Sequence, residues 1–172
     1  SNHMAYNYLS EPISFSNLMQ LCQMKDMHWI NHYLVHGDKG DGHRDNDNIV
    51  SGFNTIVIDV DEGASLEEVK VLMKDYTYFI HTTKRHTDET NRFRLVMPIQ
   101  YHLKLDENEF KEFMNSVYEW LPFEVDCQTN QRSRKWASNP GITFSNEGEI
   151  LDPLAFIPKT TKNDEYKKTI TN

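Results

Sequence analysis

Three acids, one histidine and a set of arginines carry most of the chemistry this sequence could perform. Asp59 and Asp61 close the run Thr55-Ile-Val-Ile-Asp-Val-Asp61, the most hydrophobic stretch of the chain. On a strand, side chains alternate between faces, so Ile56, Ile58 and Val60 share one side. Val57, Asp59 and Asp61 then share the other, with the two carboxylates side by side. Like charges that close raise each other's pKa unless positive charge lies between them. Solvent counterions, a pair of arginines or a divalent metal would each meet that need. Asp126, in Phe123-Glu-Val-Asp-Cys-Gln128, is a candidate third acid, ending an apolar approach just before a basic segment. Three converging carboxylates suit two Mg²⁺ or Mn²⁺ ions, because hard cations take oxygen ligands. Two such ions can activate an attacking oxygen and stabilise a leaving phosphate.

The counterweight is basic. His86 leads through a polar connection to Arg92-Phe-Arg-Leu-Val, which places Arg92 and Arg94 on one face of a strand. A face with His and two Arg is suited to anionic oxygen, and opposite the acids it would clamp a triphosphate. The competing reading is that both arginines simply pair with surface acids. Arg132, Arg134 and Lys135 form a second basic segment, within a stretch from Gln128 to Gly141 that contains no acid. The net charge of −8 argues against a broad duplex-binding face, whereas two concentrated basic segments suit a focused phosphate site.

Several elements must position these residues. Ser14 or Ser16 can cap a helix reaching about Lys25, and Trp29 to Val35 reads as a strand. The Gly- and Asp-rich run after it is a loop. Phe53 to Asp61 is a strand, and Ser65 with Glu68 forms a capping box for a helix over 66–75. Tyr76 to Thr82 and Phe93 to Ile99 read as paired strands. Asp106 caps a helix over 107–120 with Phe110, Phe113, Val117 and Trp120 as its buried stripe. Glu124 to Cys127 is extended, and short strands are expected at 142–144 and 150–154. Residues 5–13 read as an extended arm. Residues 1–4 look like a cloning remnant, and residues 159–172 like a polar tail or linker, leaving 5–158 as the domain. Strands interleaved with helices give an α/β or α+β domain without repeats.

Composition is globular, with 38% hydrophobic and 12% aromatic residues. No apolar run approaches the roughly 20 residues of a membrane span, and Cys22 and Cys127 lack metal-type spacing, so a reduced, cytoplasmic setting is expected. A P-loop, a nucleophile elbow and a zinc-protease motif are all missing.

The order of motifs resembles the archaeo-eukaryotic primase (AEP) superfamily, above all the primase-polymerase domains of phage and plasmid replication proteins. Val57-Ile-Asp-Val-Asp61 matches the first motif, Thr82-Thr-Lys-Arg-His86 with Arg92-Phe-Arg-Leu-Val-Met-Pro-Ile99 the second, and Glu124-Val-Asp126 with Gln131-Arg-Ser-Arg-Lys-Trp136 the third. Lys84 stands where the motif has a small residue, and no cysteine-histidine zinc module is present. The resemblance implies an α+β fold, an RRM-like half packed on a second small α/β unit with the active site between them. It implies Asp59, Asp61 and Asp126 as ligands of two Mg²⁺ or Mn²⁺ ions and His86 as a contact to nucleotide phosphates. Arg92, Arg94, Arg132, Arg134 and Lys135 would touch phosphate or template. The implied reaction is template-dependent nucleotidyl transfer, with nucleoside triphosphates, single-stranded DNA template and primer as partners. A helicase domain elsewhere in the full-length chain is a further expectation, in a phage-encoded case within the host cytoplasm. Two alternatives compete: a catalytically silent RRM-like nucleic-acid-binding module, and a metal-dependent nuclease or replication initiator. The second needs a His-hydrophobic-His pair, and His81 and His86 are spaced too widely for it.

Overall fold

A computed structural model describes residues 12–35, 44 and 46–172. Most of the expected arm at 5–13 and most of the Gly/Asp-rich loop lie outside these residues.

Strand β4 (Phe53–Asp61) is placed where the alternation requires it, and three further strands join it. These are β5 (Tyr78–Thr82), β6 (Arg92–Leu103) and β8 (Thr143–Asn146), in the antiparallel order β4-β6-β5-β8. The ladder between β4 and β6 shifts register between Phe53 and Thr55, where Pro98 of β6 has no N–H to donate. Beyond that irregularity β6 continues to Leu103, longer than the expected strand to Ile99. Two-residue strands complete the set: β1 (His28–Trp29) pairs with β7 (Trp136–Ala137), and β2 (Tyr33–Leu34) pairs with β3 (Ile49–Val50).

The strand expected over Trp29–Val35 is therefore broken in two. Asn31 donates its side-chain amide to the Thr55 carbonyl, and the chain turns inward there. His32 is buried against the rings of Phe53 and Phe110, at centroid distances of 5.3 and 5.1 Å. Burial lowers its pKa to about 3, so it is a neutral structural histidine.

The sheet separates two apolar clusters. Ile56, Ile58 and Val60 face the larger one, with α2 (Leu66–Leu72) and α3 (Glu107–Trp120). Ser65 caps α2, and a full capping box of Asp106 and Glu109 opens α3, both as the sequence requires. Helix α2 is one turn shorter than expected. Trp120 corrects the expected stripe: it is 37% exposed and packs at the rim against Tyr76 and Phe156. Val57 faces the smaller cluster, with Phe79, Val96, Trp29, Trp136 and the residues Leu18 and Cys22 of α1 (Phe15–Cys22), capped by Ser14.

Three other expectations are revised. Glu124 to Cys127 joins no ladder. Leu151 forms only a bridge to Ile99, and residues 154–156 form a 3-10 turn. Residues 161–171, expected as a polar tail, form helix α4 (Thr161–Thr171). Its sequence is polar because one side only is docked: Tyr166 and Ile170 pack on the large core, and Asn163 is buried. The Tyr166 hydroxyl accepts the Lys104 backbone N–H at 2.7 Å.

Tyr166→Ala removes both that bond and apolar burial, and should lower stability by roughly 1–3 kcal/mol. Urea unfolding followed by circular dichroism reads this directly. A detached tail would leave the midpoint unchanged.

Candidate active site

Antiparallel register sets the chemistry of one sheet face. Val57, Val96 and Phe79 stand opposite one another across β4, β6 and β5. One step towards the strand end, Asp59, Arg94 and His81 form the next row. Asp61 and Arg92 form the row after that. An apolar floor thus gives way to a charged row and then to the rim of an open cleft of about 620 Å³, lined by Asp59, Asp61, Arg92 and Arg94.

The arginines stand beside the acids rather than across the cleft from them. Arg94 Nε lies 3.6 Å from an Asp59 carboxylate oxygen, an ion pair too long for a hydrogen bond. Its Nη1 donates to the Ala137 carbonyl, and the guanidinium lies 5.1 Å from the centroid of the Trp136 ring. Only 13% of the side chain is exposed, so Arg94 is a fixed counter-ion and not a free phosphate ligand. Arg92 forks between two acids, with Nη1 on Asp61 and Nη2 on Glu62. The pairing of Arg92 and Arg94 with nearby acids is what the competing reading of the sequence held, and two of those acids, Asp59 and Asp61, are candidate metal ligands.

Asp126 reaches the same neighbourhood from the free edge of β4. Its N–H donates to the Asp59 carbonyl at 2.9 Å, and its carboxylate accepts the Gln128 N–H at 3.0 Å. Gly63 permits this approach, since a Cβ there would meet the Glu124 carbonyl oxygen at 2.4 Å. Asp126 opens onto a second pocket of about 440 Å³, shared with Asp61, Glu62 and Glu124.

Burial raises the Asp59 pKa; Arg94 opposes the shift, while the Asp126 and Asp61 charges add to it. A carboxyl raised in the folded state gives stability that is present at low pH and lost as pH rises through the folded value. Ionised Asp59 is thus a cost at neutral pH that a bound cation would relieve. The donor set fits a hard divalent ion in kind and in charge. Among the described residues, however, no group of three His, Cys, Asp or Glu side chains stands close enough to hold one. The expected convergence of Asp59, Asp61 and Asp126 is electrostatic, and Arg92 occupies Asp61.

The remaining candidates divide. His86 sits behind Arg92, its Nδ1 accepting the Arg92 backbone N–H at 3.0 Å. The proton of the neutral ring is therefore on Nε2, which is buried and has no hydrogen-bond partner. His86 does not line the cleft. Arg132 is committed elsewhere, binding Asn46, Ser51 and the Leu105 carbonyl. Arg134 is exposed and close enough for its charge to act on Asp59. Lys135 is half-buried and does not line the cleft. The cleft wall is instead completed by Lys25, His28, Thr83, Lys84 and Arg85, with Ser138 beside Met27 and Asn139 bonded to the Thr82 carbonyl. Lys84 and Arg85 stand within the second motif of the sequence; Lys25 and His28 gave no signal. His81 is fully buried beside Arg94, its pKa lowered to about 4 by burial and by that guanidinium.

The protein family follows from the sequence over this same region. Residues 18–140 match the VapE N-terminal domain. The chain belongs to that family. No curated protein matches it by sequence. Among solved structures, the fold is similar to the AEP domain of the cyanophage S-2L primase-polymerase, with a TM-score of 0.51. Identity is 14%, and the match covers 92% of this chain and 84% of that one. The α+β, AEP-type architecture implied by the motifs is thus the architecture of this VapE N-terminal domain. No helix among its described residues is long and apolar enough to cross a membrane.

Asp126→Asn keeps the acceptor for Gln128 and removes one charge acting on Asp59. The Asp59 pKa should fall towards the ordinary carboxylate value in a ¹³C carboxyl NMR titration. An unchanged titration would mean that the two acids do not share a field.

Proposed function

We propose that this VapE N-terminal domain is a replication-associated nucleotidyltransferase that extends or initiates chains on single-stranded DNA by template-dependent primase-polymerase chemistry. The observation that carries the reading is the pair of acid–arginine rows at the mouth of the cleft, on a fold shared with a primase-polymerase AEP domain. Silent RNA- or DNA-binding modules have no use for Asp59, Asp61 and Asp126 at one strand end, because bare carboxylates repel phosphate.

Asp59, Asp61 and Asp126 would hold two Mg²⁺ or Mn²⁺ ions, which when bound supply activation of the 3′-hydroxyl and neutralisation of the leaving pyrophosphate. The residues of the chain do the positioning. Lys84, Arg85 and Lys25 line the cleft and would hold the triphosphate of the incoming nucleotide. Arg94, fixed by Trp136 and Ala137, opposes the rise that burial imposes on the Asp59 pKa. His86 fixes the start of β6 and therefore Arg92. Arg134, near Asp59 yet exposed, would contact template or nucleotide phosphate, with Lys135 beside it. The new bond forms from the 3′-oxygen to the α-phosphorus as the bond to pyrophosphate breaks. Charge stabilisation in a preorganised site accounts for most of the acceleration in such transfers. A helicase domain in the same polypeptide would supply the single strand.

Incubation with labelled nucleoside triphosphates, Mg²⁺ or Mn²⁺ and single-stranded template, with and without primer, tests the reading. The wild type should incorporate nucleotide, and Asp59→Ala with Asp61→Ala should abolish incorporation with the fold retained by circular dichroism. Undiminished synthesis by the double variant would defeat the assignment, and no product under any condition would favour a binding module.

A further inference from the structure

Asp61 lines both pockets, Arg92 only the basic cleft and Glu62 only the acidic one. The bridge Asp61–Arg92–Glu62 therefore stands as the partition between them. Glu62 reaches the guanidinium from a left-handed backbone conformation, φ 68°, which residues other than glycine rarely adopt. The adjacent Gly63 cannot trade places with it, because its missing Cβ is what admits Glu124. Glu62 is 60% exposed, and its carboxylate is spent on the guanidinium.

We infer that Glu62 is a positioning residue that retains Arg92 when a divalent cation takes Asp61, opening the partition and joining the two pockets. The inference rests on the reading of Asp61 as a cation ligand. Arg92 competes with a cation for the Asp61 carboxylate, since both satisfy the same negative oxygens. Without a second acceptor the guanidinium would not leave Asp61, because an unpaired cation on a side chain only 14% exposed is costly. Glu62 supplies that second acceptor. With Arg92 drawn to Glu62, Asp61 turns to face Asp59 on one side and Asp126 on the other. This accounts for a site whose acids share a field without yet forming a cluster.

The test is a double-mutant cycle on Mn²⁺ affinity, measured by calorimetry at about 0.15 M salt to screen distant charge. Arg92→Gln should bind Mn²⁺ roughly tenfold tighter than wild type, having lost the competitor, and Glu62→Gln roughly tenfold weaker. Glu62→Gln should change affinity by less than about twofold in the Arg92→Gln background, since its only route is through Arg92. In wild type, Mg²⁺ should shift the Arg92 Nε–Hε resonance and leave it protected from exchange; in Glu62→Gln that protection should be lost. An equal weakening by Glu62→Gln in both backgrounds would overturn the inference, as Glu62 would then act as a ligand or a bare charge. Should Arg92→Gln unfold, Arg92→Lys replaces it: one ammonium cannot span both acids, and the Glu62 effect should shrink. No Mn²⁺ binding by wild type or by Arg92→Gln at millimolar concentration would instead overturn the proposed function itself.

Discussion

The structure is organised around one electrostatic problem, an acid, Asp59, that is mostly withdrawn from water. Its carboxylate is 22% exposed, with two further acids in its field and an apolar row directly beneath it. Arg94 meets the charge, and much of the smaller layer serves to hold Arg94. Trp136 lies against the guanidinium and the Ala137 carbonyl accepts from it. Both residues are fixed by the β1–β7 ladder, whose other strand continues from α1. The small layer is therefore better understood as the support of a buried ion pair than as a second core. Its hydrophobic members exclude water from the pair, which strengthens it and makes its loss costly.

A gradient runs along the sheet face from that interior towards solvent. Val57, Val96 and Phe79 are dry, Asp59 and Arg94 are nearly so, and Asp61 with Glu62 is open. Rigidity and ligand access are thus separated over two steps of a strand. The inner pair is preorganised, whereas the two acids of the outer fork stand open to a ligand. Sites of charge-transfer chemistry benefit from this division, because fixed dipoles do the stabilising and exposed ones admit the ligand.

What could be read in the sequence was what is local. Strand β4 announced itself by alternation and α3 by its Asp106 cap with a helical stripe, and both were found at the expected residues. The acids, the arginines and the motif order were equally legible, and with them the AEP-type fold. Register was not. Whether Arg94 stands beside Asp59 or across a cleft from it depends on how β6 slides on β4, and that is fixed by an irregularity near Pro98 and by side chains distant in sequence. Glu62 was hidden because a left-handed backbone at a residue other than glycine leaves no mark in the sequence. Helix α4 was hidden because its composition is that of a solvated segment, and only its docking on the core distinguishes it from one. The break at Asn31–His32 was likewise decided by a tertiary hydrogen bond and a buried imidazole.

In the function proposed above, the end of β4 is a divalent-cation site serving nucleotide chemistry. Anomalous diffraction from crystals soaked with Mn²⁺ and a non-hydrolysable deoxynucleoside triphosphate addresses it without reliance on turnover. A manganese peak is expected between the Asp59 and Asp61 carboxylates, with triphosphate oxygens completing its shell and Lys84 or Arg85 on the nucleotide. A nucleotide bound with no metal at these acids, or manganese bound only elsewhere, would contradict it.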